Sequence, residues 1–108
     1  MDTSDLRMAY ITCADYAEAE RIATLVVEQQ VAACANIFPA VTSVYQWEGR
    51  VDRSQEVVVI AKTTASRSED FIATVRAAHS YSVPCIVLVP LTAANPAYAE
   101  WLRNAVSG

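Results

Sequence analysis

Glycine, histidine and lysine are scarce in this chain of 108 residues, and each shortage excludes a kind of site. The two glycines are Gly49 and Gly108, and neither lies in a glycine-rich phosphate loop, which argues against a standard nucleotide site. His79 is the single histidine, so any Ser-His-Asp or Cys-His mechanism has to use it. Catalysis of these kinds therefore has little support.

Basic clusters and long apolar runs are also missing. The formal net charge is −4, and no group of Lys and Arg residues lies on one predicted face, which disfavours nucleic-acid binding. The longest apolar runs, 57–61 and 83–91, are far shorter than the roughly 20 residues of a membrane-spanning helix. The acidic amino terminus does not resemble a signal peptide. We therefore expect a cytoplasmic protein that binds neither nucleic acid nor membrane.

Cysteine is sparse and unpatterned. Cys13, Cys34 and Cys85 are an odd number with wide spacing, which argues against a disulfide framework and paired metal clips and fits a reducing compartment. Core packing is the simpler role for Cys34 and Cys85. Cys13 ends a predicted strand, where it is either a small buried hydrophobe or a soft ligand for copper or zinc.

Apolar residues, in contrast, are abundant. They make up 54% of the chain and charged residues only 19%, which predicts that a partner covers part of the surface. Further copies of the same chain are the simplest partner. The length fits one domain, 1–108, with a single core.

The amino-terminal part predicts a strand followed by a helix. An apolar strand pattern covers 7–13, and Asp15 then forms a capping box with Glu18. An apolar stripe at helical spacing continues this helix to about residue 30.

A long hairpin follows. A strand signal over 32–47 is interrupted by Pro39, which predicts a bend or bulge because proline cannot donate a ladder hydrogen bond. Residues 48–50 supply the turn. The return strand, 56–63, contains an unbroken apolar run that is typical of a central strand.

The carboxy-terminal half predicts a second helix, a strand and a third helix. Ser66 and Glu69 form a capping box for a helix that ends near His79. A strand pattern covers 83–91, and Asn95 with the following proline starts the last helix.

This order predicts an α+β fold of the ferredoxin-like split β-α-β class. Such a sandwich has an antiparallel sheet with two helices on one face, here with an added C-terminal helix. The other face of the sheet then needs cover.

Three groups of residues are candidates for binding. His79 either meets the carbonyls at the end of its helix or binds a metal ion. Lys62, the only lysine, is either a solvated strand end or an anion-binding group, with Glu48 in the facing hairpin. Tyr45, Trp47 and Tyr81 either line a ligand cleft or pack between subunits.

Several motifs, taken in order, resemble the CutA family of divalent-cation tolerance proteins. They are A-A-C-x-N at 32–36, S-x-Y-x-W-x-G at 43–49, K-T at 62–63, H-x-Y-x-x-P at 79–84 and a late Tyr-Trp helix at 98–101. The resemblance implies a ferredoxin-like subunit in a homotrimer built through long strands, with Tyr45, Trp47 and Trp101 at the interface.

The resemblance also implies metal ligands at the end of the first strand and the end of the second helix. Cys13 and His79 are the candidates here. The chain has Ala78, Ser80 and Cys85 where the family pattern usually differs, and the family cysteine aligns nearer Ile11.

Two hypotheses follow. The first is a cytoplasmic homotrimer, not an enzyme, that binds copper or another divalent metal ion and takes part in the response to metal ions. The alternative is a signalling or scaffolding trimer, similar to the nitrogen regulatory PII proteins, that binds a small anionic ligand in clefts between subunits near Lys62, Glu48 and Tyr81.

Overall fold

The computed structural model describes residues 2–107, which form four strands and three helices. The strands are β1 (Leu6–Cys13), β2 (Cys34–Trp47), β3 (Arg50–Thr64) and β4 (Ile86–Pro90). The helices are α1 (Tyr16–Glu28), α2 (Ser68–Ala78) and α3 (Pro96–Val106), with a short 3₁₀ turn, Ala65–Arg67, before α2.

All strand pairs in the sheet are antiparallel, in the order β2-β3-β1-β4. β1 is central, with Ile11 opposite Val59 on one side and Ile86 on the other. This arrangement confirms the predicted α+β, ferredoxin-like class.

One face of the sheet is covered by α1 and α2. Strand alternation points Ala9, Ile11 and Cys13 to this face, and all three are fully buried. Their main helical partners are the apolar stripe residues Ile22, Val26, Phe71 and Val75.

The third helix packs on the opposite face, at one end of the sheet. Leu6 points away from Ala9 and Ile11 by strand alternation, and it forms a separate core with Leu102 and Val106 of α3. The rest of this face remains open. Its exposed apolar side chains include Tyr10, Phe38, Val87 and Val89.

The β2-β3 hairpin extends beyond the other strands and makes the molecule 44 Å long. Trp47 pairs with Arg50, and the turn residues Glu48 and Gly49 have φ angles of 51° and 81°, which suit a two-residue hairpin turn. β3 therefore begins earlier than predicted. The register irregularity between Phe38 and Val41 confirms the predicted bend around proline.

Two local predictions are wrong. Ser66 does not cap α2, because its hydroxyl lies 3.2 Å from that of Thr64 and the 3₁₀ turn delays the helix to Ser68. The last strand begins at Ile86, since the chain before it turns across the end of the sheet.

None of the helices within residues 2–107 is long and apolar enough to cross a membrane.

Candidate functional site

Three side chains from separate segments meet at the end of β1. Cys13 ends that strand, Glu18 lies in the first turn of α1, and His79 caps the end of α2. Their sulfur, carboxylate and imidazole ligand atoms lie within 4.8 Å of one another. We call these three residues the buried cluster.

His79 is held by hydrogen bonds at both ring nitrogens. Nε2 lies 2.8 Å from the carbonyl oxygen of Thr12, so Nε2 carries the proton, because a carbonyl only accepts. Nδ1 accepts the backbone N–H of Tyr81 at 3.1 Å. The imidazole is therefore neutral in this arrangement. It bonds to β1, and not to the helix carbonyls that its position at the end of α2 suggests.

Glu18 joins the start of α1 to the segment after α2. Its Oε1 accepts the N–H of Ala14 at 2.9 Å and its Oε2 accepts the N–H of Ser80 at 2.8 Å. Burial by itself would raise the pKa of Glu18, but the hydrogen bonds from Ala14 and Ser80 outweigh it and lower the pKa. Glu18 is therefore a carboxylate in a site that is 4% exposed.

The predicted capping box at the start of α1 is only half formed for the same reason. Asp15 accepts the N–H of Glu18 at 2.8 Å, as expected of an N-cap. The side chain of Glu18 does not return to Asp15, because it bonds to Ala14 and Ser80 instead.

Cys13 is a protonated thiol at neutral pH. Its side chain is fully buried, and burial, followed by the negative charges of Glu18 and Glu56, raises its pKa to about 12. A metal ion that binds the sulfur has to displace this proton.

The donor set suits a metal ion of intermediate softness. It combines sulfur, imidazole nitrogen and carboxylate oxygen, a mixture typical of copper and zinc sites and not of magnesium or calcium. His79 also donates its other ring N–H to a backbone carbonyl, as metal-binding histidines commonly do. Nδ1, which lies 3.9 Å from Oε2 of Glu18, is the ring nitrogen that would bind an ion, in place of its hydrogen bond from Tyr81.

A groove lies beside the buried cluster, on the open side of the sheet. Its volume is about 640 Å³, and it runs between the β2-β3 hairpin and the segment before β4. Tyr81 connects the two sites, because its ring lies against that of His79, with centroids 4.7 Å apart, and its hydroxyl donates to Oε2 of Glu56 at 2.8 Å. Burial, and then this hydrogen bond, raise the pKa of Tyr81.

Within a single chain, the structure does not bring Lys62, Glu48 and Tyr81 together. Lys62 pairs with Cys34 at the base of the hairpin, and its Nζ lies 5.6 Å from the ring centroid of Tyr98. Glu48 lies at the hairpin tip, at the opposite end of the same strands. Of the three, only Tyr81 lines the groove.

The three aromatic residues predicted for a subunit interface are half exposed. Tyr45 and Trp47 lie on the hairpin with 39% and 49% of their surface exposed. Trp101 of α3 is 48% exposed and its ring contacts that of Tyr98. Tyr45 and Trp47 also line the groove.

Sequence reasoning named Cys13 and His79 but missed Glu18 as the third member of the buried cluster. Glu18 stood out only as a helix-capping residue. Its spacing from Asp15 explains a cap and contains no sign of the distant loop that it reaches. The one available signal is its position four residues before Ile22, which places Glu18 beside the apolar stripe of the helix.

Comparison with known proteins gives consistent matches. The family model described as CutA1 divalent ion tolerance protein matches residues 7–105. The divalent-cation tolerance protein CutA of Thermus thermophilus is 42% identical over 86 residues, which cover 80% of this chain and 84% of the relative. The chain spans about half the length of some relatives, such as the mouse protein CutA, of which 54% is covered at 36% identity.

Solved structures match over nearly the whole fold. The Thermus thermophilus divalent cation tolerance protein superposes with a TM-score of 0.91 at 38% identity, covering 93% of this chain and 97% of that one. The Archaeoglobus fulgidus protein, described as a periplasmic divalent cation tolerance protein, has a TM-score of 0.90 at 35% identity, with 94% and 98% covered. Together with the family model, these matches show that the chain belongs to the CutA1 divalent ion tolerance family.

Proposed function

We propose that this protein binds copper or another divalent metal ion at Cys13, Glu18 and His79 and thereby contributes to divalent-cation tolerance. The proposal is carried by one observation: three chemically different ligand atoms from three segments lie within 4.8 Å of one another. Family membership supports the physiological role.

Binding at the buried cluster has a cost that predicts selectivity. The ion must displace the proton of Cys13 and the hydrogen bond from Tyr81 to His79. Copper and zinc form strong bonds to sulfur and imidazole and offset this cost, whereas magnesium and calcium prefer oxygen ligands alone. We expect binding of Cu²⁺ and Zn²⁺ and none of Mg²⁺.

Copper titration of the purified chain tests the site. Cu²⁺ bound to a thiolate should produce a sulfur-to-copper charge-transfer absorption, which Cys13→Ser should abolish. Each of Cys13→Ser and His79→Ala should weaken binding by more than the ~10-fold to 100-fold that outer-shell changes cost.

Cys85→Ser is the matched control, because Cys85 is exposed and lies outside the buried cluster. It should leave the absorption unchanged. If the absorption survives in Cys13→Ser and is lost in Cys85→Ser, copper binds Cys85 and not Cys13, and the proposed site is removed.

We also propose that the protein forms a homotrimer through the hairpin. Support comes from the exposed Tyr45 and Trp47 on the hairpin and from Trp101 on α3, all apolar surface that a partner would cover. Light scattering should give a mass about three times that of the 11.8 kDa chain.

Trp47→Ala should lower the trimer fraction, and Tyr16→Ala, which removes an equally exposed aromatic from the helical side, should not. A monomeric mass for the unaltered chain would remove the trimer proposal.

Cellular location, mode of action and partners are further parts of the proposed function. We propose a cytoplasmic protein that acts by binding and not by catalysis, with no nucleic-acid or membrane partner. The negative net charge supports the absence of nucleic-acid binding. Relatives are named for other locations, two as chloroplastic and one as periplasmic, so location needs direct measurement, for which microscopy of a tagged chain is suitable.

A further inference from the structure

Two acceptor atoms of the buried cluster are already used by the segment that follows α2. Oε2 of Glu18 accepts the N–H of Ser80 at 2.8 Å, and Nδ1 of His79 accepts the N–H of Tyr81 at 3.1 Å. The two acceptors lie 3.9 Å from each other. Two consecutive backbone N–H groups therefore bond to atoms that the proposed metal site also uses.

The two acceptors differ in whether they can serve an N–H group and an ion together. A carboxylate oxygen has two lone pairs, so Oε2 of Glu18 can keep its bond to Ser80. The unprotonated nitrogen of a neutral imidazole has one lone pair, and Nε2 of His79 carries the proton because it donates to the carbonyl of Thr12. His79 therefore cannot hold an ion at Nδ1 and keep the N–H of Tyr81.

Tyr81 is held at three points. Its N–H and its ring both contact His79, with ring centroids 4.7 Å apart, and its hydroxyl donates to Oε2 of Glu56 on β3 at 2.8 Å. Residues 79–85, all of which the structure describes, form neither helix nor strand. Loss of the N–H contact therefore shifts the whole residue, and the hydroxyl leaves the narrow distance range of its hydrogen bond.

From these shared acceptors we propose that Tyr81 is a switch that reports whether the buried cluster holds a metal ion. In the metal-free state its N–H bonds to His79 and its hydroxyl to Glu56, and in the metal-bound state both contacts are released. The inference rests on the proposed function, because it concerns the regulation of the same metal site. By linkage, the contact between Tyr81 and Glu56 weakens metal binding as much as metal binding weakens that contact.

The switch connects the buried cluster to the proposed subunit interface. Every contact of Tyr81 that the switch uses lies within one chain, so it does not require an open groove. Tyr81 and Glu56 line the groove together with Tyr45 and Trp47, which the proposed trimer covers. Release of Tyr81 therefore changes the surface against which a partner subunit packs.

Amide hydrogen exchange of the complete chain, with and without Zn²⁺, tests the release. Zinc is suitable because it has no redox chemistry that would oxidise the thiol of Cys13. Exchange at Tyr81 should become at least about tenfold faster in the zinc-loaded protein, since its N–H loses its acceptor. The N–H of Ala14, which bonds to Oε1 of Glu18, is the internal control and should exchange at an unchanged rate.

Calorimetry on the same samples separates the two proposals. Unchanged or slower exchange at Tyr81 in protein that calorimetry shows to be zinc-loaded would overturn the switch and leave the metal site in place. Equal acceleration at Ala14 would also overturn the switch, because the whole site would then have loosened. Absence of zinc binding would remove the proposed function and the switch together.

The zinc affinity of Tyr81→Phe tests the connection to Glu56 without changing any charge. If the hydroxyl holds the metal-free state, its loss should tighten zinc binding about fivefold, the factor that corresponds to one hydrogen bond. Tyr16→Phe, which removes a hydroxyl from a half-exposed ring on α1, is the matched control and should leave the affinity unchanged.

Unchanged or weaker zinc binding in Tyr81→Phe would contradict the switch, because Tyr81 would then keep its bond to Glu56 in the metal-bound state. Thermal melts establish that both variants are folded. The exchange measurement uses the unaltered chain and does not depend on either variant.

Discussion

The buried cluster and the groove lie on either side of Tyr81, and they use their carboxylates in different ways. Both oxygens of Glu18 accept backbone N–H groups, and His79 uses both ring nitrogens. Among residues 2–107, Glu56 has one hydrogen-bond partner, the hydroxyl of Tyr81, and takes part in no ion pair. The buried cluster therefore stabilises the metal-free fold through its hydrogen bonds, whereas the fold depends much less on the carboxylate of Glu56.

The largest loss of stability is expected in the buried cluster, and it tests whether this cluster stabilises the fold. Glu18→Gln should destabilise the metal-free protein by about 3 kcal/mol, because one amide oxygen cannot accept from both Ala14 and Ser80 and the other N–H loses its charged partner. Thermal melting should show a fall in Tm of more than about 10 °C. Glu20→Gln, at an exposed position on the same helix, is the control, and an equally small shift in both variants would contradict the structural role.

A smaller loss of stability is expected at Tyr81, which lies between the buried cluster and the groove. Tyr81→Phe removes the hydrogen bond to Glu56 and keeps the ring contact with His79, so the loss should be about 1 kcal/mol. Chemical denaturation measures it. Tyr16→Phe removes a hydroxyl from a half-exposed ring and should change stability less. A loss in Tyr81→Phe that matches Glu18→Gln would mean that the groove is structural as well.

Glu56→Gln makes the same carboxylate-to-amide change in the groove that Glu18→Gln makes in the buried cluster. The free energy of unfolding should change by about 0.5 kcal/mol or less, because the amide oxygen still accepts from Tyr81 and an unpaired charge is removed. The same denaturation experiment tests it. A loss as large as that of Glu18→Gln would show that the Glu56 charge stabilises the fold, and the contrast between the two sites would disappear.

The smallest effect is expected for the half-exposed carboxylate of Asp5. Asp5 accepts from Nε of Arg103 at 2.8 Å, and this hydrogen bond, against a small opposing effect of burial, lowers the pKa of Asp5. A depressed pKa stabilises the fold above the unfolded value of about 3.9, and this contribution is lost as the pH falls through the lower folded value. Asp5→Asn should lower Tm by less than about 2 °C at neutral pH, because solvent screens the pair.

The comparison with wild type across pH checks the sign of that effect. The difference in Tm between the two proteins should vanish in strong acid, where Asp5 is protonated in both states. A difference that grows with acidity would contradict the assignment.

Local sequence signals predicted most of the architecture. Apolar patterns at strand and helix spacing placed all seven elements, because each pattern matches one sheet face or one helix stripe that is buried. The ends were less predictable. Ser66 carries a capping signature, but the 3₁₀ turn that precedes α2 moves the start of the helix past it.

The candidate sites were only partly predictable. Cys13 and His79 are named by residue type, since both are rare and chemically distinctive in this chain. The sequence does not predict that these two residues lie close together, because the order in which the strands pair brings β1 and the end of α2 together. For Lys62 and Glu48 the reverse holds. The sequence grouped them because both belong to the hairpin, but they lie at its two ends.

The amino-acid sequence by itself determined the elements, the fold class and the family, since these depend on local periodicity and on motifs read along the chain. Tertiary structure decided which polar groups are already satisfied. Both oxygens of Glu18 accept hydrogen bonds, whereas in the part of the chain that the structure describes the side chain of Glu56 accepts one, from Tyr81. That difference depends on which backbone N–H groups lie within about 3 Å of each carboxylate, a distance set by the packing of segments far apart in the chain.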